Sequence, residues 1–206
     1  MKFVRFNNFS ETGTFARPGV VLDNGKLTGD LRAAYARWRK EAKGDPRARA
    51  TAAHRIPGHL REILAAGGSS LKAVKQAADF LEKTLKKDGA KARGIDGEVL
   101  FTPWKETRLH APIRGNKVIA VGRNYAEHVA EGGHKMAMKV PSAWIKANST
   151  VIGPQRAITK PAATKKLDYE CELAIVIGET CKNVPEKNAY DVIFGYTVGN
   201  DISARD

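Results

Sequence analysis

The sequence predicts an α+β protein in two parts, a small mixed α/β N-terminal domain over residues 1–112 and a strand-rich domain over residues 113–206. Two observations carry this expectation. Between residues 31 and 87, apolar residues recur at helical spacing among Ala, Lys and Arg. Past a Lys/Gly/Ala-rich connector at residues 88–94, they come instead in short compact runs flanked by Gly, Pro and Asn, the texture of strands.

Each element has a local reason. Residues 2–6 set Lys2 and Arg5 among Phe3, Val4 and Phe6 and read as a short strand. Residues 18–22, the turn Asp23-Asn24-Gly25 and the return over 26–28 form a hairpin signal, because an Asn-Gly pair accepts positive φ. Asp30 is placed to cap a helix over 31–42, which Gly44-Asp45-Pro46 ends. Ile56-Pro57-Gly58 breaks the chain before a short helix at 59–66. A second break, Ala66-Gly67-Gly68-Ser69-Ser70, precedes a longer helix over 71–87 with Ser69 or Ser70 as its cap. In it Val74, Ala77, Ala78, Leu81 and Leu85 form one stripe, expected to be core. Strands are expected at 99–101, 118–121, 174–177 and 192–197.

Composition narrows the class of protein. Hydrophobic residues make up 42% and charged residues 28%, which suits a chain that buries a core. The longest apolar run, at 173–177, is strand-sized and far short of the ~20 residues that span a bilayer. The first residues interleave Lys2 and Arg5 with Phe and Val, so a signal peptide is not expected. Two cysteines, Cys171 and Cys181, are too few for a disulfide framework, so a cytoplasmic location is expected. The net charge of +13 fits a solvated basic surface, a field that steers anionic substrates, or a nucleic-acid partner. The basic residues scatter over 32–93, with no zinc-finger spacing and no RNA-binding aromatic signature, which argues against nucleic acid.

Three segments of the second half bear side chains suited to chemistry. In Asp168-Tyr169-Glu170-Cys171-Glu172-Leu173, a strand would point Glu170 and Glu172 to one face and Cys171, Leu173, Ile175 and Ile177 to the other. Two carboxylates about 7 Å apart on one strand repel each other, and a hard divalent cation would relieve that. An exposed edge where both simply meet water fits equally well. In Gly195 to Asp206, Asp201 follows a strand end and could add a third carboxylate, or belong to an ordinary Asn-Asp turn. In Val118 to Gly133, a buried strand enters a glycine turn and then a short helix ending at Gly132-Gly133. His128 and Glu131 lie three apart there and share a helix face, either as a base with its orienting carboxylate or as a solvated surface pair.

Taken in order, Gly122-x-Asn124-Tyr125-x-x-His128, Glu170-x-Glu172 and Asn200-Asp201-x-Ser203-Ala204-Arg205-Asp206 resemble the motifs of the fumarylacetoacetate hydrolase family. Trp144-Ile145-Lys146 and Ser149-Thr150-Val151-Ile152-Gly153-Pro154 fall where that family has an aromatic-x-Lys strand and an Ile-Gly-Pro turn. The resemblance is close over 117–206, and looser for Lys2-Phe3-Val4-Arg5-Phe6 and Pro18-Gly19-Val20-Val21. It implies a mixed β-roll for the second domain, with Glu170, Glu172 and Asp201 as ligands of Mg²⁺ (or Mn²⁺ or Ca²⁺). It makes His128 the catalytic base with Glu131 as its partner, and puts Lys146 near the substrate. Tyr125 joins the substrate contacts, and Arg123 does so on charge alone, while Arg205 and Asp206 take structural roles. The implied activity is metal-dependent cleavage of a carbon–carbon bond in small anionic 2,4-dioxo acids by a homodimer. The same enolate chemistry serves related decarboxylases and isomerases. Family members run on for roughly another third of this length, so the β-roll is expected to be incomplete, and a truncated, inactive metal-binding module is the alternative.

Overall fold

The computed structural model describes residues 1–8, 15–131 and 140–206, with the side chains of His128 and Glu131 outside that description. The chain opens with β1 (Phe3–Asn8), then the hairpin of β2 (Arg17–Leu22) and β3 (Leu27–Asp30). Asp23, Asn24 and Gly25 all take positive φ in the turn, so the Asn-Gly pair does what its chemistry allows and Asp23 joins it. Four helices follow: α1 (Leu31–Lys43), α2 (Ala48–Arg55), α3 (Leu60–Ala65) and α4 (Gly68–Asp88). The chain then returns with β4 (Phe101–Pro103) and β5 (Thr107–His110) to complete an antiparallel sheet of order β4-β3-β2-β1-β5. Strands from beyond the 88–94 connector thus form both edges of the first sheet.

α1 begins and ends where its sequence signals lie. Asp30 Oδ1 accepts from the Ala33 N–H at 2.9 Å, and Gly44 closes the helix in the left-handed conformation with φ 59°. Two expectations fail. α4 starts at Gly68 behind a Gly67 with φ 69°, so Ser69 and Ser70 lie inside the first turn, and Ser70 is buried rather than capping. α2 was not expected at all, because its only buried residues are Ala48 and Ala52, too small a stripe to stand out.

The core lies between α1, α4 and the sheet, built from Leu31, Tyr35, Val74, Ala77, Leu81, Leu100 and Phe101 among others. Leu81 of α4 is fully buried and reaches the sheet at Gly29, where a Cβ would lie 2.7 Å from Leu81 Cδ1 and 2.9 Å from Leu22 Cδ1. Gly29 therefore lets helix and sheet approach closely.

Asp30 is the one buried carboxylate at this junction, with Arg17 Nε 3.2 Å from its Oδ2. Burial raises its pKa above the usual carboxylate value, against the opposing pull of its Ala33 hydrogen bond and of Arg17. A carboxyl raised on folding stabilises the fold most when protonated, below its unfolded pKa of about 3.9. That contribution is lost as pH rises through the raised folded value. Asp30→Asn keeps an oxygen acceptor for Ala33 and removes the charge. It is expected to lessen the fall in urea midpoint between pH 4 and pH 7, and parallel wild-type and variant profiles would show that Asp30 stays ionised throughout.

The second half holds β6 (Val118–Gly122), α5 (Ala126–Glu131), β7 (Ser142–Lys146), β8 (Leu167–Asp168), β9 (Cys171–Ile177), β10 (Ile193–Asn200) and β11 (Ser203–Ala204). They pair antiparallel as β6 with β7, β9 with β10 and β8 with β11. Ile113 and Phe194 pack against the core of the first half. The strand expectations hold here, but the burial expected of the strand entering the glycine turn does not, with Ile119 60% and Val121 39% exposed. The apolar face of β9 is open: Leu173 is 60% exposed and Ile175 52%, with Val198 of β10 at 73% beside them. No helix among the described residues is long and apolar enough to cross a membrane.

Candidate metal centre

β9 and β10 run side by side until both lose register at the same level. Gly199 pairs with Glu172 and Asn200 with Cys171, and pairing resumes at Ser203 with Asp168 through β11 and β8. Glu170 and Asp201 occupy the interruption, tied by the Asp201 N–H donating to the Glu170 carbonyl at 2.8 Å. Glu172 sits one register step inside the ladder. Neighbouring strand ends thus carry all three predicted carboxylates to one level of the sheet.

Their surroundings differ. Glu170 Oε1 accepts from the Ser203 hydroxyl, and Arg205 Nη2 stands 3.5 Å from Oε2. The Glu170 N–H donates to Asn200 Oδ1 at 3.2 Å. Arg205 also holds Asp168 Oδ2 at 3.2 Å, and Asp206 accepts from the Thr164 hydroxyl and the Lys165 N–H. Those bonds hold the Asp206 carboxyl below the usual carboxylate range, led by the one from Thr164. Asp201 is more enclosed than Glu170, its side chain 10% exposed against 21%, and its buried Oδ1 is held by the Lys146 ammonium.

β6 and β7 bring in the remaining predicted residues. Lys146 ends β7 opposite Val118 and reaches Asp201. After β6, Arg123 turns the chain with φ 54°, and its side chain is exposed without a partner among the described residues. Tyr125 Oη accepts from the Leu173 N–H at 3.0 Å, which fastens the start of α5 to β9. The backbone of His128 and Glu131 lies in α5, and the placement of their side chains, like that of Gly132 and Gly133, falls outside the described residues. The structure therefore joins Lys146 to Asp201 and Asp201 to Glu170, sets Glu172 one register step along β9, and ties Tyr125 to the β9 backbone.

The donor set fits a hard divalent cation. All three side chains offer carboxylate oxygens, and the enclosed Asp201 Oδ1 already meets a cation, the Lys146 ammonium. With Lys146 on Asp201 and Arg205 beside Glu170, no three His, Cys, Asp or Glu among the described residues converge closely enough to hold a metal as the side chains stand. Two of the three acids are thus neutralised by the chain's own cations. Ser203 and Asn200, which hold Glu170, were given no role from sequence, although both lie in the Asn200-Asp201-x-Ser203 motif.

Residues 117–206 match the family model described as the C-terminal domain of fumarylacetoacetate hydrolase. Residues 117–206 are thus a fumarylacetoacetate hydrolase family domain, joined to the mixed N-terminal half in an α+β fold. The chain is 34% identical over 155 residues to the oxaloacetate tautomerase YisK of Bacillus subtilis, covering 73% of this chain and 48% of that protein. Fumarylacetoacetate hydrolase from Exiguobacterium antarcticum has a similar structure, with a TM-score of 0.60 and 26% identity over 100% of this chain and 57% of its own. The fold is shared as well by maleylpyruvate hydrolase from Sphingobium, solved with manganese(II) and pyruvate, at a TM-score of 0.60 and 23% identity over 100% of this chain and 60% of that one. The chain spans less than half the length of the curated relatives it matches.

Proposed function

We propose that this chain carries the site of a divalent-metal-dependent hydrolase that cleaves a carbon–carbon bond in acylpyruvate-type 2,4-dioxo acids. The observation that supports it is the placing of Glu170, Glu172 and Asp201 at neighbouring register positions where β9 and β10 lose pairing, with a cation, the Lys146 ammonium, already drawn to the enclosed Asp201 Oδ1. Those three would hold Mg²⁺, Mn²⁺ or Ca²⁺, which when bound supplies Lewis acidity and a template for the 2-oxo acid end of the substrate. The net charge of +13 draws an anionic substrate toward the protein.

The chain's own residues do the rest. Lys146 and Arg123 meet the substrate's negative charge. Tyr125, whose oxygen already accepts from Leu173, keeps its hydroxyl hydrogen for a substrate oxygen. His128, with Glu131 one turn further along α5, takes a proton from water. The hydroxide adds to the distal carbonyl carbon, the bond from that carbon to the methylene breaks, and its electron pair passes into the enolate of pyruvate. The proton held by His128 returns to the former methylene carbon, giving a carboxylic acid and pyruvate.

The likeness to an oxaloacetate tautomerase favours a second reading, in which the same base moves a proton between carbon and enol oxygen and no water is consumed. The working unit is proposed to be a cytoplasmic homodimer without a membrane or nucleic-acid partner. The exposed apolar face of β9 and β10 offers a surface for self-association.

The test is to incubate the chain with Mn²⁺ and an acylpyruvate, and separately with oxaloacetate, following the enol absorbance and the products. Hydrolysis yields two acids, tautomerisation conserves the carbon skeleton, and a chelator stops either. Mn²⁺ uptake without turnover would make the chain a binding module. Turnover that survives the chelator would overturn the metal-dependent reading.

A further inference from the structure

A second group of charged side chains gathers on the first sheet and shares no residue with the carboxylate centre. In the β1–β5 pair, Arg5 lies opposite His110 and Asn7 opposite Arg108, so all four face the same side of the sheet. Arg5 and Asn7 are buried, at 8% and 3% exposure. The guanidinium of Arg5 is pinned by two carbonyls, donating from Nε to Gly58 and from Nη1 to Ala111, each at 3.3 Å. His110 Nε2 donates to Asn7 Oδ1 at 3.0 Å, which fixes the ring. The turn carrying Arg156 crosses here, its Gly153 so close that a Cβ would lie 2.9 Å from His110 Cα.

Charge is concentrated and uncompensated at this place. Arg5, Arg108, Arg114 and Arg156 all act on the His110 ring, which burial and these four cations together hold below its ordinary pKa. Glu62 is the one carboxylate acting on Arg5, and its Oε2 already accepts from the His59 N–H at 3.3 Å. Arg108, Arg114 and Arg156 form no ion pair with any carboxylate among the described residues. Arg114 and Arg156 are exposed and Arg108 half-buried, so their guanidinium groups are open to a ligand. Elsewhere in the same half, arginines find acids: Arg37 meets Glu41 and Asp88, Arg39 meets Asp45, and Arg49 meets Asp96.

Like charges held together without counter-ions favour an anion that can bridge them, and guanidinium forks match tetrahedral oxyanions bidentately. The group is drawn from β1, β5, residues 111–116 and the turn at Arg156, and residues 107–116 and 151–158 hold no run of aromatic residues. Those features suit a small ligand rather than a polynucleotide track.

We propose that this face binds a small, multiply charged oxyanion of the phosphate type, with Arg108, Arg114 and Arg156 as its charged contacts and His110, held by Asn7, beside them. The experiment titrates the full chain with inorganic phosphate, and with sodium chloride at matched ionic strength, by calorimetry and by the NMR shift of the His110 ring. Saturable binding is expected in the phosphate arm alone, with a dissociation constant below about 1 mM. Arg114→Gln with Arg156→Gln in one chain is expected to weaken it at least about tenfold. Lys86→Gln with Lys87→Gln removes the same charge from the exposed end of α4 and is expected to leave it unchanged. Glycerol 3-phosphate in a parallel arm separates an esterified phosphate from the free ion, the tighter binder naming the source. A phosphate response no larger than that of chloride, or equal losses in the two double variants, would overturn the proposal.

Discussion

Asp201→Asn is expected to weaken Mn²⁺ binding by about two orders of magnitude, or about 2.7 kcal/mol. Asp201 is more enclosed than Glu170, and its Oδ1 is the oxygen that already holds a cation, the Lys146 ammonium. The amide keeps the shape but gives up the negative charge, and a hard dication held by carboxylates loses most when that charge goes. The fold itself is expected to change little, because Lys146, 29% exposed, can turn its ammonium to water once its partner is neutral. Lys146→Met tests the other side of the pair. It removes the cation that already occupies Asp201, so Mn²⁺ affinity is expected to rise even as a substrate contact is lost. Electron paramagnetic resonance of free Mn²⁺ reads both variants, and wild-type affinity in Asp201→Asn would remove Asp201 from the ligand set.

Leu81→Ala is expected to cost about 3 kcal/mol of stability, the largest effect of a single substitution in the first half. Leu81 is fully buried, and its Cδ1 packs onto Gly29, which has no side chain to move into the space left behind. Leu22 comes to the same point from β2, so the truncation would open a cavity between α4 and the sheet rather than at the surface. Leu81→Met, close in volume, is expected to cost less than about 1.5 kcal/mol. Urea unfolding followed by circular dichroism decides the matter, and equal midpoints for the two variants would show that the site collapses around the lost methyl groups.

Much of the first half was legible because its signals are local. Asp30 and Gly44 bound α1 through hydrogen bonds and backbone angles that depend only on neighbouring residues. α2 escaped notice because it buries only alanines, and Ser69 and Ser70 misled because Gly67 and Gly68 carry the helix start one turn earlier. In the second half, the alternation of β9 placed Glu172 opposite Leu173 and Ile175 in sense, yet alternation alone does not say which face is covered. The carboxylates themselves were found by motif. Arg205 was expected in a structural role, but Ser203 and Asn200 were not, because their contacts with Glu170 arise only when two strands thirty residues apart fall into register. Arg5 and His110 came together in the same way, through a pairing no local pattern announces.

That pairing also bears on how the chain assembles. β1 sits between β2, which follows within a few residues, and β5, which is more than a hundred residues along. While the protein is being synthesised, β1 and the β2–β3 hairpin must wait with two open edges until residue 110 leaves the ribosome. Closure over so long a loop is slow compared with the growth of α1 and α4, so helices are expected to form first and the outer strands to lock last.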